Sequence, residues 1–151
     1  MSCYAAEPPR DQPSDPEVRE GPYPLSMSRS RQAAVAVAGF RIAYGAALAI
    51  APARTTRAWL GDDAARPGGQ VALRALGARE IALHSGALCA ALTGADVMPW
   101  LVASIAGDCS DIAATFASGS GLPDGAPVKT LAVAGASAAL TGAVLAALAG
   151  E

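Results

Sequence analysis

Arg74-Ala75-Leu76-Gly77-Ala78-Arg79-Glu80, followed by Ile81-Ala82-Leu83-His84-Ser85-Gly86, places two arginines, a glutamate and a histidine inside an apolar stretch of membrane-spanning length. A counterpart, Gly107-Asp108-Cys109-Ser110-Asp111, lies about one helix further on. Charges in such segments are costly unless they are paired or face a polar interior, so each is a candidate functional group. Together the two stretches decide the reading: an all-α fold, a four-helix transmembrane bundle with a polar centre.

Outward from this centre, four apolar segments cover residues 32–51, 71–92, 99–118 and 130–149. At about 1.5 Å per residue each crosses a hydrocarbon core. The integral membrane domain is expected over residues 30–151, and residues 1–29 form a separate tail. That tail holds six of the eleven prolines with Glu7, Asp11, Asp15, Glu17 and Glu20, and shows no helical or strand period. Such a composition predicts disorder. It has no apolar core before a small-residue site, so it does not read as a signal peptide. Met27, just ahead of the basic Arg29 and Arg31, is an alternative start.

Composition narrows the function classes. Only 16% of the 151 residues are charged, against 52% apolar, and mean hydropathy is positive despite the polar tail. A soluble helical domain carries about a quarter charged residues. The net charge of −2 offers no polybasic surface for nucleic acid. Three cysteines without a CxxC pair, and a single histidine, argue against zinc and against a disulfide framework. Cys89 and Cys109 read as small apolar residues. The Gly/Pro-rich segment 119–129 lacks the strand and the adjacent Gly-Lys of a phosphate-binding loop.

Placing residues at 100° intervals assigns faces. In the first span Ala34, Ala38, Arg41, Gly45 and Leu48 share one side, with Tyr44 at its edge. In the second, Ala72, Ala75, Ala82, Gly86 and Ala90 form a small-residue face around Arg79, suited to close helix packing. Gly77, Glu80 and His84 occupy another sector, so Arg79 and Glu80 are expected to serve different neighbours. In the third, Ser104, Asp108, Asp111 and Thr115 recur as one polar stripe, which needs protein or water beside it. The fourth has no charge; Gly135, Ala139, Gly142 and Ala146 predict close packing, and Ser137 and Thr141 are expected to bond within their own helix. Residues 53–69 are a polar connection broken by Pro67-Gly68-Gly69, in which Thr55 to Gly61 reads as an interfacial turn or an ordinary loop.

Because short loops force neighbouring spans to alternate, depth follows from counting. Arg41, Arg79 and Asp108 fall roughly 13–15 Å from the side bearing the first and third loops, and Asp111 roughly 10 Å. Arg74 is shallower and can snorkel outward. Three helices thus bring charges to one depth, and Arg41, Arg74 and Arg79 balance Glu80, Asp108 and Asp111. Arg79 and Asp108 are predicted to belong to one paired network. The candidate site is Arg41, Tyr44, Arg74, Arg79, Glu80, His84, Asp108 and Asp111.

The combination of Gly45 and Pro52, Trp59-Leu60-Gly61, Arg74-x-x-Gly77-Ala78-Arg79-Glu80 and Asp108-x-x-Asp111 resembles a family of small uncharacterised bacterial membrane proteins of actinobacterial type. That family has four predicted helices and a G-A-R-[DE] signature followed by an acidic pair. The resemblance spans residues 33–148 and implies a multi-pass protein of the inner (plasma) membrane; it carries no activity with it. No catalytic residue, metal or cofactor is expected, and the pattern points away from an enzyme. A structural or accessory membrane subunit is the first expectation, with the lipid bilayer and a second copy or another membrane protein as partners. A small transporter or proton/solute-permeation protein is the alternative.

Overall fold

The structure, a computed structural model, describes residues 27–118 and 121–151. Among these residues the chain is all-helical: α1 (Arg29–Ile50), α2 (Pro52–Leu60), α3 (Pro67–Thr93), α4 (Met98–Ala117) and α5 (Ala126–Ala149), with a 3-10 turn at Gly61–Ala65. The tail expected to be disordered lies outside the described residues up to position 26. Of the long helices, α1 with 22 residues and α5 with 24 are long and apolar enough to cross a membrane by length and composition. The other two, α3 with 27 residues and α4 with 20, carry the central charges in their midst.

Local chemistry explains the boundaries. Ser28 caps α1, its Oγ accepting from the Arg31 backbone N–H at 3.3 Å. Arg31 itself reaches across to the end of α3, where its Nη1 donates to the carbonyls of Ala90 and Ala91 at 3.1 and 3.2 Å. A cation there satisfies carbonyls without helical partners and complements the helix dipole. Gly94, at φ 80°, then ends α3 in the left-handed conformation that side chains avoid.

The connection after α1 is more ordered than a turn. Pro52 lacks an N–H and ends α1, yet its fixed φ suits the first position of a new helix, and α2 runs on for nine residues. Pro67 likewise opens α3, so the expected break at Pro67-Gly68-Gly69 is a helix start. A side chain at Gly69 would collide with the Asp63 carbonyl oxygen, which explains a glycine there. Segment 119–129 is also shorter as a loop than expected: α5 begins at Ala126, so Lys129 stands in its first turn.

The helices pair as α1 with α3 and α4 with α5. The buried face of α1 is Ser30, Ala34, Ala38, Arg41, Gly45 and Leu48, the side anticipated from its periodicity. The α3 face differs from expectation. Leu73, Gly77, Glu80, His84 and Ala87 are buried, whereas Ala72, Ala75 and Ala82 are exposed. Polar residues that require partners outcompete alanines, which lose little by facing outward. Of that set Ala90 is buried in the apolar core and Gly86 meets the Trp100 ring of α4. On α5 the small-residue stripe is not a contact either: no atom lies within 4 Å of where a Gly142 Cβ would stand. Its buried residues are Ala126, Thr130, Ala134, Thr141 and Val144. Cys89 and Cys109 are exposed rather than core residues.

The closest crossing is α1 on α3. A Cβ on Gly77 would stand 2.5 Å from the Gly45 carbonyl oxygen and 2.9 Å from the Ala49 backbone nitrogen; one on Gly45 would meet the Gly77 carbonyl at 2.7 Å. Apolar clusters lie on either side of the polar layer. One holds Ala34, Ala38, Ala87, Ala91, Leu101 and Val144; the other holds Leu48, Ala64 and Leu73, with Trp59 and Leu60 against it. Gly77→Ala should therefore lower stability by about 1–3 kcal/mol through overpacking against backbone. Gly142→Ala should leave it unchanged or raise it by up to about 1 kcal/mol through helix propensity. Equal effects in denaturation of the detergent-solubilised protein would remove the crossing as the tight point.

Candidate functional site

The polar centre is built by residues one or two turns apart on α1, α3 and α4, joined by one residue of α5. Arg41 is its hub. Its Nη2 donates to Asp108 Oδ1 at 2.8 Å, and its Nη1 to Ser137 Oγ at 2.6 Å. Its Nε lies 2.8 Å from Glu80 Oε2. The Nε–H is not aligned for a hydrogen bond, so that contact is Coulombic. Arg41, Glu80 and Asp108 are each at most 8% exposed, so none could hold its charge alone at low cost.

Arg79 forms the second half. Its two terminal nitrogens bind Asp111 as a fork, at 3.0 Å to Oδ1 and 2.7 Å to Oδ2. Its Nη2 also reaches Glu80 Oε1 at 3.2 Å. The guanidinium lies over Gly107, where a Cβ would come within 3.4 Å of it. The chain of contacts therefore runs Asp111, Arg79, Glu80, Arg41, Asp108. Arg79 and Glu80 serve different neighbours as expected, Asp111 on α4 and Arg41 on α1, and they also touch each other. A 100° offset on the helix is bridged by the long, flexible arginine stem. Arg79 and Asp108 belong to this one chain of contacts but do not touch; Glu80 and Arg41 stand between them.

His84 is buried one turn from Glu80. Its Nδ1 lies 2.9 Å from the Glu80 carbonyl oxygen, which can only accept, so Nδ1 carries the proton. In the neutral ring Nε2 then accepts from the Ser104 hydroxyl at 3.0 Å. His84 thus fastens α3 to α4 beside the ion pairs. Arg74 is not brought in. It is exposed on α3 and forms no ion pair among the described residues, because its position turns it away from the face that carries Glu80. The expected balance of three against three therefore becomes two guanidiniums against three carboxylates.

A cavity of about 400 Å³ opens onto this network. Arg41, Glu80, Asp108 and Asp111 form its polar floor, with Tyr44, Leu76, Val133 and Ala134 on its walls. Helix α2 covers it with Thr55, Thr56 and Trp59. Two bonds tie α2 to α5: Trp59 Nε1 donates to Thr130 Oγ1 at 3.0 Å, and Lys129 Nζ to the Ala58 carbonyl at 2.6 Å. Sequence reasoning missed Ser137, Thr130 and Lys129 as site residues. A lone hydroxyl on an apolar helix is usually bonded to its own backbone, and Ser137 instead serves Arg41 across the bundle. Among the described residues no three His, Cys, Asp or Glu side chains group as metal ligands would. The carboxylates are directed at guanidiniums instead.

Comparisons of the chain with protein-family models, with curated proteins and with solved structures return no match.

The contact order predicts the energetics. Arg41→Ala would strand the buried Asp108 and leave Glu80 with Arg79 as its one arginine, and should cost about 3–5 kcal/mol. Arg74→Ala should stay within about 0.5 kcal/mol of the parent. In double-mutant cycles the half-exposed Arg79–Asp111 pair should couple by about 0.5–1 kcal/mol. Arg79 with Asp108 should couple less, through their shared neighbours. Denaturation of the purified variants in detergent measures all four quantities. A dominant Arg79–Asp108 coupling would contradict the observed order of contacts.

Proposed function

We propose that the chain is a multi-pass integral membrane protein of the bacterial inner membrane, with α1, α3, α4 and α5 as its spans. Its cavity binds a small polar or charged solute, as a transport or permeation unit does. The observation that carries this reading is the inverted distribution of polarity. Arg41, Glu80, His84, Ser104, Asp108 and Thr141 are buried, while Phe40, Ile50, Val71, Val102, Phe116, Val133 and Leu140 are each more than half exposed. In water such a perimeter would drive association. In a bilayer it is the expected outer surface, with the polar groups turned toward protein. Apart from Arg74, which lies near the start of α3 and can snorkel outward, the charges on α3 and α4 belong to the central network, which supports counting these helices as spans although their hydropathy is lower than that of α1 and α5.

The cavity favours a binding role over a purely architectural one. A network whose only task is to hold register has no need of an opening of drug-fragment size above it, and ligand sites typically combine apolar walls with a few convergent polar groups. A structural or accessory subunit is the second reading. It is favoured by an apolar groove of about 760 Å³ between α1 and α5, lined by Ala33, Val37, Phe40, Ala136 and Leu140, which a neighbouring helix could fill.

The protein should remain in the membrane fraction after carbonate extraction; recovery in the soluble fraction without detergent would overturn the membrane reading. Native mass spectrometry in detergent should show a bound small molecule. Ala134→Phe fills the cavity and leaves every charge in place, so it should lose that molecule while keeping its melting temperature within a few degrees. Retention of the molecule by this variant would move the binding site elsewhere.

A further inference from the structure

The cavity's charge and unmet bonding capacity define the class of ligand it takes. Each nitrogen of Arg41 already faces a protein oxygen: Glu80 Oε2, Ser137 Oγ or Asp108 Oδ1. Little of that guanidinium is left to receive an anion. Buried atoms without a hydrogen bond occur on both sides of the network, Arg41 Nε and Arg79 Nε among the donors and Glu80 Oε2 and Asp108 Oδ2 among the acceptors. Arg41 Nε and Glu80 Oε2 stand against each other at 2.8 Å, which leaves Asp108 Oδ2 as the buried carboxylate oxygen without a donor among the described residues. Asp111 contributes a carboxylate that is 32% exposed at the cavity floor, with both oxygens also bound by the Arg79 fork.

Charge counting agrees. Three carboxylates stand against two guanidiniums, an excess of one negative charge. The hydrogen bonds of His84 go to the Glu80 carbonyl and the Ser104 hydroxyl, and its Nδ1 lies a further 3.5 Å from Glu80 Oε2. Lys129 is the other cation on the lining, but it is exposed at the mouth and donates to the Ala58 carbonyl. Solvent screens it more than the buried groups. Above the carboxylates stand the aromatic side chains of Tyr44 and Trp59, with Leu76, Val133 and Ala134. Aromatic and aliphatic walls over an anionic floor suit a cation that carries alkyl groups; a bare, strongly hydrated ion would gain nothing from them.

The geometry points to a monovalent organic cation, an alkylammonium small enough for the cavity of about 400 Å³, as the ligand held between the Tyr44/Trp59 walls and the Glu80/Asp108/Asp111 floor. The inference rests on the solute-binding reading above and names its ligand class. The apolar groove between α1 and α5 shares Arg41, Tyr44 and Val133 with the cavity. An alkyl substituent therefore has a continuous apolar path away from the charged end.

The test uses the full chain purified in a nonionic detergent, with tetramethylammonium and tetraethylammonium chloride compared against sodium chloride and sodium acetate at matched ionic strength. Thermal melting and tryptophan emission, to which Trp59 on the cavity wall contributes, are the readouts. The ammonium salts should raise the melting temperature and change the emission saturably, tetraethylammonium more than tetramethylammonium; acetate should do neither. Lys129→Gln keeps a donor for Ala58 and removes the cation at the mouth, so it should tighten ammonium binding about twofold to fourfold. Asp111→Asn should weaken it about tenfold, read only if the variant melts cooperatively; the Lys129 variant decides the matter if it does not. Stabilisation by acetate with weakening in Lys129→Gln would assign an anion and overturn the proposal. Absence of any saturable ammonium effect would overturn it as well. In either case the carbonate extraction and the Ala134→Phe result stand independently, so failure of the cation assignment is distinguishable from failure of the solute-binding reading.

Discussion

The Arg41 guanidinium sets the relations among four helices. It projects from α1, and its nitrogens meet Glu80 on α3, Asp108 on α4 and Ser137 on α5. An arginine suits this post because its planar fork presents several donors in fixed directions and keeps its charge when buried. A displacement of any one helix along its axis would pull a buried carboxylate or hydroxyl off that fork. The penalty for an unpaired charge in such a place is larger than the gain from the pair itself, which makes the contact a device for specifying register rather than a simple source of stability.

The ion pairs are reachable only because the backbones come close. Glu80 sits beside the crossing of Gly45 and Gly77, where its own Cβ would be 2.8 Å from a Cβ on Gly45. Glycines at the crossing let α1 and α3 approach until Arg41 and Glu80 are in contact. The polar layer and the tight crossing are thus one arrangement, flanked by alanine-rich packing on one side and the Leu48, Ala64 and Leu73 cluster on the other. Association of this kind relies on close packing and bonds between helices, the terms that remain effective when lipid surrounds the bundle.

The same layer shapes the site. Its upper surface is not sealed by side chains of the four long helices but by α2, which rests on α5 through Trp59 and Lys129. The floor is held by multiple ion pairs, and the nine-residue α2 is held by two side-chain bonds to α5, by Thr55 on the Ala47 carbonyl of α1 and by Trp59 and Leu60 packed on the Leu48, Ala64 and Leu73 cluster.

The sequence by itself determined the helical class, the long apolar segments and the inward faces of α1 and α4, because a helix's period turns spacing into direction. It also brought Arg41, Arg79 and Asp108 to a common depth by counting residues, with Asp111 one turn shallower. Tertiary structure alone decided who meets whom. On α3 the pattern allowed two faces, and the choice fell to Glu80 and His84 over the alanines because buried polar groups need partners and alanines do not. The exclusion of Arg74, the recruitment of Ser137 from the apolar stretch of α5, and the helical form of α2 were likewise invisible to periodicity. Each depends on which helix lies alongside, and a helix's period says which way a side chain points but not what it finds there.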